Sequence, residues 1–250
     1  MQADRPKIQY VLFDMDGLII DSEKMYTEVA NEVLRPYGKE MTWDIKAGCM
    51  GQPERASAEH LLSFFPDISL TPESFVDKKN EMLDRLWPTV SVLPGARKLI
   101  RHLKAHNIPI AVATGSRRRA YGLKTKNLQE LFSSFEGKVV CGDDQQYNMR
   151  GKPNPDVFLV TAREVLGRDV GYPENECTAN QLGERASGLV LEDSLPGVQA
   201  GKRAGMSVIW VPDPKLLDVE YSVIERADQM LKSLEDFVPE EWGLPPYDLA

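Results

Sequence analysis

FDMDGLIIDSE, Phe13–Glu23, is the stretch on which the fold of this chain turns. It grows out of a short apolar run, Tyr10–Phe13, and contains Gly17, the pattern of a buried strand that ends at a turn. Alternate residues of an extended segment point the same way, so the carboxylates of Asp14 and Asp16 are expected to project together beyond the sheet. Two acids converging there can hold a divalent cation and divide nucleophilic and acid/base work between them. A strand closing on an ordinary polar turn would read the same over these eleven residues. The decision rests on what accompanies them.

Outward from this stretch, short apolar runs recur at Ile8–Phe13, Ile108–Ala113, Lys138–Cys141, Gly188–Leu191 and Ser207–Val211. Segments with helical spacing lie between them, at Pro94–His106, Asp156–Leu166 and Leu195–Ala204. This alternation predicts an α/β fold, a three-layer, Rossmann-like parallel sheet wrapped by helices. In such sheets ligands bind beyond the carboxyl ends of the strands. The exception is Ser22–Ser91, which offers no strand and reads as helices at Ser22–Arg35, Pro53–Phe65 and Thr71–Leu86. Residues 19–91 are therefore expected to form a small inserted α-helical cap, with 1–18 and 92–250 as the catalytic core. Arg168–Ser187, rich in turn formers and charge, reads as a surface loop.

The bulk numbers narrow the function. A chain of 250 residues with 42% apolar and 27% charged content has the makeup of a globular protein with a proper core. Its net charge of −8 argues against nucleic acid or an anionic membrane as partner. Cys49, Cys141 and Cys177 are odd in number and widely spaced, which fits unpaired thiols in a reducing compartment. No apolar stretch approaches the length of a membrane span, and MQADRPK lacks a signal-peptide core. The expectation is a soluble cytoplasmic protein, a monomer or weak homo-oligomer.

Three further sites follow at strand ends. Thr114-Gly115-Ser116, after IPIAVA, sets a hydroxyl beside a glycine amide near a helix start, a cradle suited to phosphate oxygens; a plain helix cap is the competing reading. Lys152, in GKPNPDVF, sits at a rigid loop-to-helix junction. Glu192-Asp193 ends GLVL, where acids are badly placed for packing and well placed for a hard cation. Together these residues solve one electrostatic problem. A phosphate monoester carries roughly two negative charges near neutrality and cannot approach clustered carboxylates unless they are offset. A Mg²⁺ ion at Asp14, Asp16 and Asp193, with Lys152, would do so. Asp14 would then attack phosphorus, and Asp16 would serve the leaving oxygen and the hydrolytic water as acid and base. Candidate contacts to the rest of the substrate are Gln52, Glu54 and Arg55 in the helical block and Arg117 after the phosphate turn, each set against the alternative of a solvated helix face. His60, His102 and His106 fit helical positions and receive no role.

This ordered set resembles the haloacid dehalogenase superfamily. The resemblance implies Asp14 as aspartyl nucleophile, Asp16 as acid/base touching metal through its backbone carbonyl, Thr114 as phosphate ligand, Lys152 as the motif lysine and Asp193 as metal ligand. Glu192 would bind the metal or stand behind it. An acid two residues after the nucleophile is similar to the phosphatase and phosphomutase branches. Beyond the motifs, GDD at Gly142–Asp144, LEDSLPGVQAGKRAGM and the ending SLEDFVPEEWGLPPYD resemble pseudouridine-5′-phosphatases and plant-type glycerol-3-phosphatases, although the Glu174–Arg185 loop is longer than in these. What the resemblance implies is a Mg²⁺-dependent phosphatase of a small phosphorylated metabolite, such as pseudouridine 5′-phosphate, glycerol 3-phosphate or a sugar phosphate, working through an aspartyl-phosphate. A phosphomutase of the β-phosphoglucomutase type and a non-catalytic phosphate-binding module are the alternatives.

Overall fold

Six parallel strands form one sheet in the order β3-β2-β1-β4-β5-β6. They are β1 (Tyr10–Phe13), β2 (Ile110–Ala113), β3 (Val139–Val140), β4 (Gly188–Glu192), β5 (Ser207–Trp210) and β6 (Gln229–Met230). The computed structural model describes residues 6–49, 54–173, 176–218 and 225–248. β1 is central because the chain winds outward from it in both directions, to β2 and β3 on one side and to β4 and beyond on the other. That reversal leaves a crevice at the carboxyl ends of β1 and β4, the place where doubly wound sheets bind ligands.

The period-two pattern of β1 explains the three layers. Val11 and Phe13 face one side, where helix α5 (Ala96–Ala105) brings Leu99, Ile100 and Leu103. Tyr10 and Leu12 face the other, against α8 (Asp156–Val160) and α10 (Leu195–Arg203), which supply Phe158 and Val198. Both faces of every core strand are covered, so the strands read as unbroken apolar runs. The ending WGLPPYD closes the first face: Trp242 and Leu244 are buried in it, and the Trp242 carbonyl accepts from Ile8 N at 3.1 Å. His102 finds its partner there, 2.9 Å from the Pro245 carbonyl.

Between β1 and α5 stands a helical block with a core of its own. It contains α1 (Ser22–Leu34), α2 (Trp43–Cys49), α3 (Glu54–Ser63) and α4 (Pro72–Leu86). Val33, Leu34, Ile45, Leu61 and Phe75 pack together inside it. Thr71 caps α4 by accepting from Ser74 N, with Pro72 at the first helical position. After β2 the chain forms α6 (Arg118–Thr125) and the short α7 (Gln129–Phe132). A second cluster, Val29, Leu83 and Trp87 with Leu123 of α6, joins the block to the sheet domain.

One expectation is corrected. Arg168–Ser187 is not a loop throughout, because Ala179–Ala186 forms a helix, α9. Thr178 and Gln181 make a reciprocal capping box at its start, and Arg185 is buried at its end, donating to the Val170 and Tyr172 carbonyls. The run of charge in ENECTANQLGERAS concealed a helix fixed by its cap and one inward arginine. Among the described residues no helix is long and apolar enough to cross a membrane.

Candidate active site

Register brings the first site residues level. Phe13 lies beside Leu191 of β4 and Val112 of β2. Asp14 therefore leaves β1 where Glu192 ends β4, and its amide donates to the Leu191 carbonyl at 3.0 Å. Thr114 leaves β2 one residue later, bonded to Val140 O at 3.0 Å. The chain then curls tightly after β1, with Gly17 N donating to Ile20 O. Gly17 has φ +79°, and a Cβ there would stand 2.1 Å from Asp193 Oδ2. Both the backbone and the neighbouring carboxylate require glycine.

Carboxylate oxygens of Asp14, Glu192 and Asp193 lie within 4.8 Å of one another, and all three residues are buried. Lys152 is the cation among them. Its Nζ donates to Asp14 Oδ1 and, at 2.5 Å, to Glu192 Oε1. Glu192 uses its other oxygen to accept from Ser194 N and Ser194 Oγ. It can sit this close to α10 because residue 197 is glycine; a Cβ there would be 1.8 Å from Glu192 Oε1. The loop carrying Lys152 is tied by Arg150, which donates to Asp156 through its backbone amide and guanidinium at 2.8–3.0 Å.

Charge does not balance at this cluster. Burial pushes the Asp14 carboxyl up to about 7, with Lys152 opposing and Glu192 and Asp16 adding to the rise. Burial also raises Asp193 well above the carboxylate range, reinforced by Glu192, Asp14 and Glu23 and opposed by Lys152. Three acids share one ammonium. A donor set of hard oxygens with surplus negative charge fits a small divalent cation.

Asp16 stands apart from this cluster. Its Oδ1 accepts from Lys124 Nζ at 2.5 Å and its Oδ2 from Ser116 Oγ at 2.6 Å, with the Thr114 hydroxyl 3.4 Å away. Burial alone would raise this carboxyl, yet the Lys124 ammonium and the hydrogen bonds of Lys124 and Ser116 hold it below the usual carboxylate range. Both side-chain oxygens of Asp16 are thus engaged by Lys124 and Ser116, apart from the group formed by Asp14, Glu192 and Asp193.

The two groups open on one cavity of about 690 Å³. Asp14, Asp16, Thr114, Gly115, Lys152 and Asp193 line it from the sheet side, and Tyr26, Lys46, Phe75, Lys79 and Trp87 from the block. Six of the expected residues thus line one cavity from the sheet side, and a seventh, Glu192, is bonded to Lys152 among them. Arg117 lies at the cavity too, but its guanidinium pairs with Glu54 of the block at 3.3 Å. Arg55 is corrected: it is exposed, pairs with Glu59 and Glu73, and does not line the cavity. Helical spacing cannot say which side of α3 faces inward when both carry charge. Gln52 lies outside the described residues. Sequence reading missed Lys46, which pairs with Glu23 at 3.5 Å, Lys79, which pairs with Glu54 at 3.5 Å, and Lys124. Most lysines are solvated, and nothing in the sequence around these three sets them apart.

The model of the haloacid dehalogenase-like hydrolase family matches residues 11–211. This chain belongs to that family. Among its relatives, (DL)-glycerol-3-phosphatase 2 of Arabidopsis thaliana is 43% identical over 248 residues, covering 98% of this chain and 95% of the relative. A probable pseudouridine-5′-phosphatase of Drosophila melanogaster is 37% identical over 241 residues, with 96% of each chain covered. A family hydrolase from Deinococcus radiodurans R1, solved with bound phosphate and sodium, superposes with a TM-score of 0.71 at 24% identity, covering 97% of this chain and 100% of that one. The last likeness establishes the haloacid dehalogenase-like fold for the sheet and the helical block together.

Proposed function

We propose that this member of the family is a Mg²⁺-dependent phosphoric monoester hydrolase that acts on a small phosphorylated metabolite through an aspartyl-phosphate on Asp14. The observation that carries this reading is Lys152 joining Asp14 to Glu192 beside Asp193, at the floor of a cavity roofed by the helical block. Asp14 and Asp193, with the backbone carbonyl of Asp16, would hold the ion. When bound, it supplies positive charge that lets a phosphate dianion approach the acids.

The chain's own residues then divide the work. Lys152 directs Asp14 and offers positive charge to the phosphoryl oxygens. Glu192, whose oxygens are taken by Lys152 and Ser194, orients that lysine. Thr114 and Gly115 face the cavity as the phosphate cradle. Asp14 Oδ attacks phosphorus, forming the acyl phosphate as the bond to the leaving oxygen breaks, and Asp16 gives that oxygen its proton. Asp16 as found is held ionised, the form that later takes a proton from the hydrolytic water. An incoming phosphate dianion works against Lys124 and favours the protonated form needed first. In this reading residues 19–91 are the cap that chooses the leaving group, on a core of 1–18 and 92–250.

The relatives' names put glycerol 3-phosphate and pseudouridine 5′-phosphate at the head of the candidate substrates. The test is phosphate release from these and a set of sugar phosphates, with Mg²⁺ and with a chelator. Release from at least one compound, lost with chelator and restored by Mg²⁺, is expected. Turnover indifferent to chelation, or none across the set, would overturn the reading.

A further inference from the structure

Lys124 is a fully buried lysine whose bonds all lead to the site or to the roof above it. Its Nζ donates to Asp16 Oδ1 at 2.5 Å, to Ser116 Oγ at 2.9 Å and to the Tyr26 hydroxyl at 3.1 Å, which uses all three of its hydrogens. The ammonium also lies 4.2 Å from the centre of the Trp87 ring. Ser116 in turn donates to the other oxygen of Asp16, so both oxygens of that carboxylate are fixed by one connected group. Tyr26 belongs to α1 and Trp87 follows directly on α4, so the far side of the ammonium is built from the helical block. The same helix, α6, is pinned to that block by Arg119 on Asp84, and the turn after it by Asn127 on the Pro88 carbonyl at 2.8 Å.

A buried ammonium is expensive to desolvate and is kept only where its partners offset the cost. A lysine that only pinned α6 to the block would take its counter-charge from the block, as Arg119 does from Asp84. The shortest bond goes instead to the one carboxylate assigned to proton transfer. We propose that Lys124 is the positioning residue of Asp16: it fixes the carboxyl for proton transfer to the leaving oxygen, and Tyr26 and Trp87 hold it in place, so that the acid is set only while the block is seated. The proposal rests on the acid/base reading of Asp16 given above.

A leaving-group comparison separates this role from a structural one. An alkoxide cannot depart from phosphorus without a proton, whereas p-nitrophenolate is a stable anion and can. The ratio kcat/KM, which reports the steps up to departure of the leaving group and not hydrolysis of the aspartyl-phosphate common to both esters, is measured on p-nitrophenyl phosphate and on an alkyl phosphate that the wild type accepts, for Asp16→Asn, Lys124→Met and Tyr26→Phe. General acid catalysis contributes about 10²–10⁴-fold. Lys124→Met is expected to lose roughly 10²-fold on the alkyl ester and less than about 10-fold on the aryl ester. Tyr26→Phe, which removes only one anchor of the ammonium, should show the same selectivity more weakly. Equal losses on both esters, or a selective gain on the alkyl ester, would overturn the proposal. Should Lys124→Met fail to fold by circular dichroism, Tyr26→Phe decides, and an unselective or absent effect there overturns it. Asp16→Asn keeps the two readings distinguishable. Without leaving-group selectivity in that variant the acid assignment itself fails; with it, and with Lys124→Met unselective, only the positioning role fails.

Discussion

Gly17→Ala probes the site through geometry rather than by removing a functional group. Gly17 has φ +79°, and the added methyl would stand 2.1 Å from Asp193 Oδ2 and 2.7 Å from its Cγ. Forcing an L-residue into this backbone region costs about 1–3 kcal/mol. The methyl must also drive the Asp193 carboxylate back by roughly 1 Å or more to restore an ordinary contact. Asp193 is buried against Glu192 and Asp14, so it has little room to retreat without disturbing the cation site. A misplacement of about 1 Å in a catalytic group costs on the order of 10²-fold in rate. Phosphate release is therefore expected to fall by about that factor, with half-activation by Mg²⁺ moved to higher concentration and a lowered melting temperature. Wild-type kcat with unchanged Mg²⁺ half-activation would refute the role given to Asp193.

Three further outcomes follow from particular contacts. Asp156 has its carboxyl lowered, burial being outweighed by the hydrogen bonds of Arg150, so it contributes stability above the unfolded aspartate value of about 3.9 and loses it as pH falls through the lower folded value. Asp156→Asn should cost about 1–2 kcal/mol at neutral pH in urea unfolding, with the gap to wild type closing in acid; a gap that persists there refutes the assignment. Thr178→Ala should cost about 0.5–2 kcal/mol by the loss of the α9 cap, and an unchanged denaturation midpoint would contradict the capping box. Trp242→Ala, which empties a buried position under the sheet, should cost about 3–5 kcal/mol in the same measurement; a loss below about 1 kcal/mol would be inconsistent with its packing.

The strands that carry chemistry were legible because each is an apolar run followed at once by a polar residue that has no packing role. Asp14, Thr114 and Glu192 announce themselves in this way. β6 was not legible: it has two residues, and its pairing is dictated by β5 rather than by any pattern of its own. The start of α6 was legible from the turn Thr114-Gly115-Ser116, whereas α2 was missed because seven residues carry too little of a helical period. Thr71 signalled the start of α4 through local capping chemistry. The buried lysines were beyond reach for a different reason. Their burial depends on tertiary partners, Asp16 and Tyr26 for Lys124 and Glu23 for Lys46, that lie 23 to 108 residues away in the chain. Arg55 and Arg117 illustrate the converse, since charges that could reach a substrate were met first by Glu59, Glu73 and Glu54.

The covalent step on Asp14 is open to direct capture. Enzyme in excess is mixed with a substrate radiolabelled in its phosphoryl group, quenched in acid before the first turnover completes, and digested under acid conditions. The label is expected on the peptide that contains Asp14, and to be absent from Asp14→Asn. Phosphate released by the wild type with no label on that peptide at any quench time, or label on another residue, would contradict the mechanism.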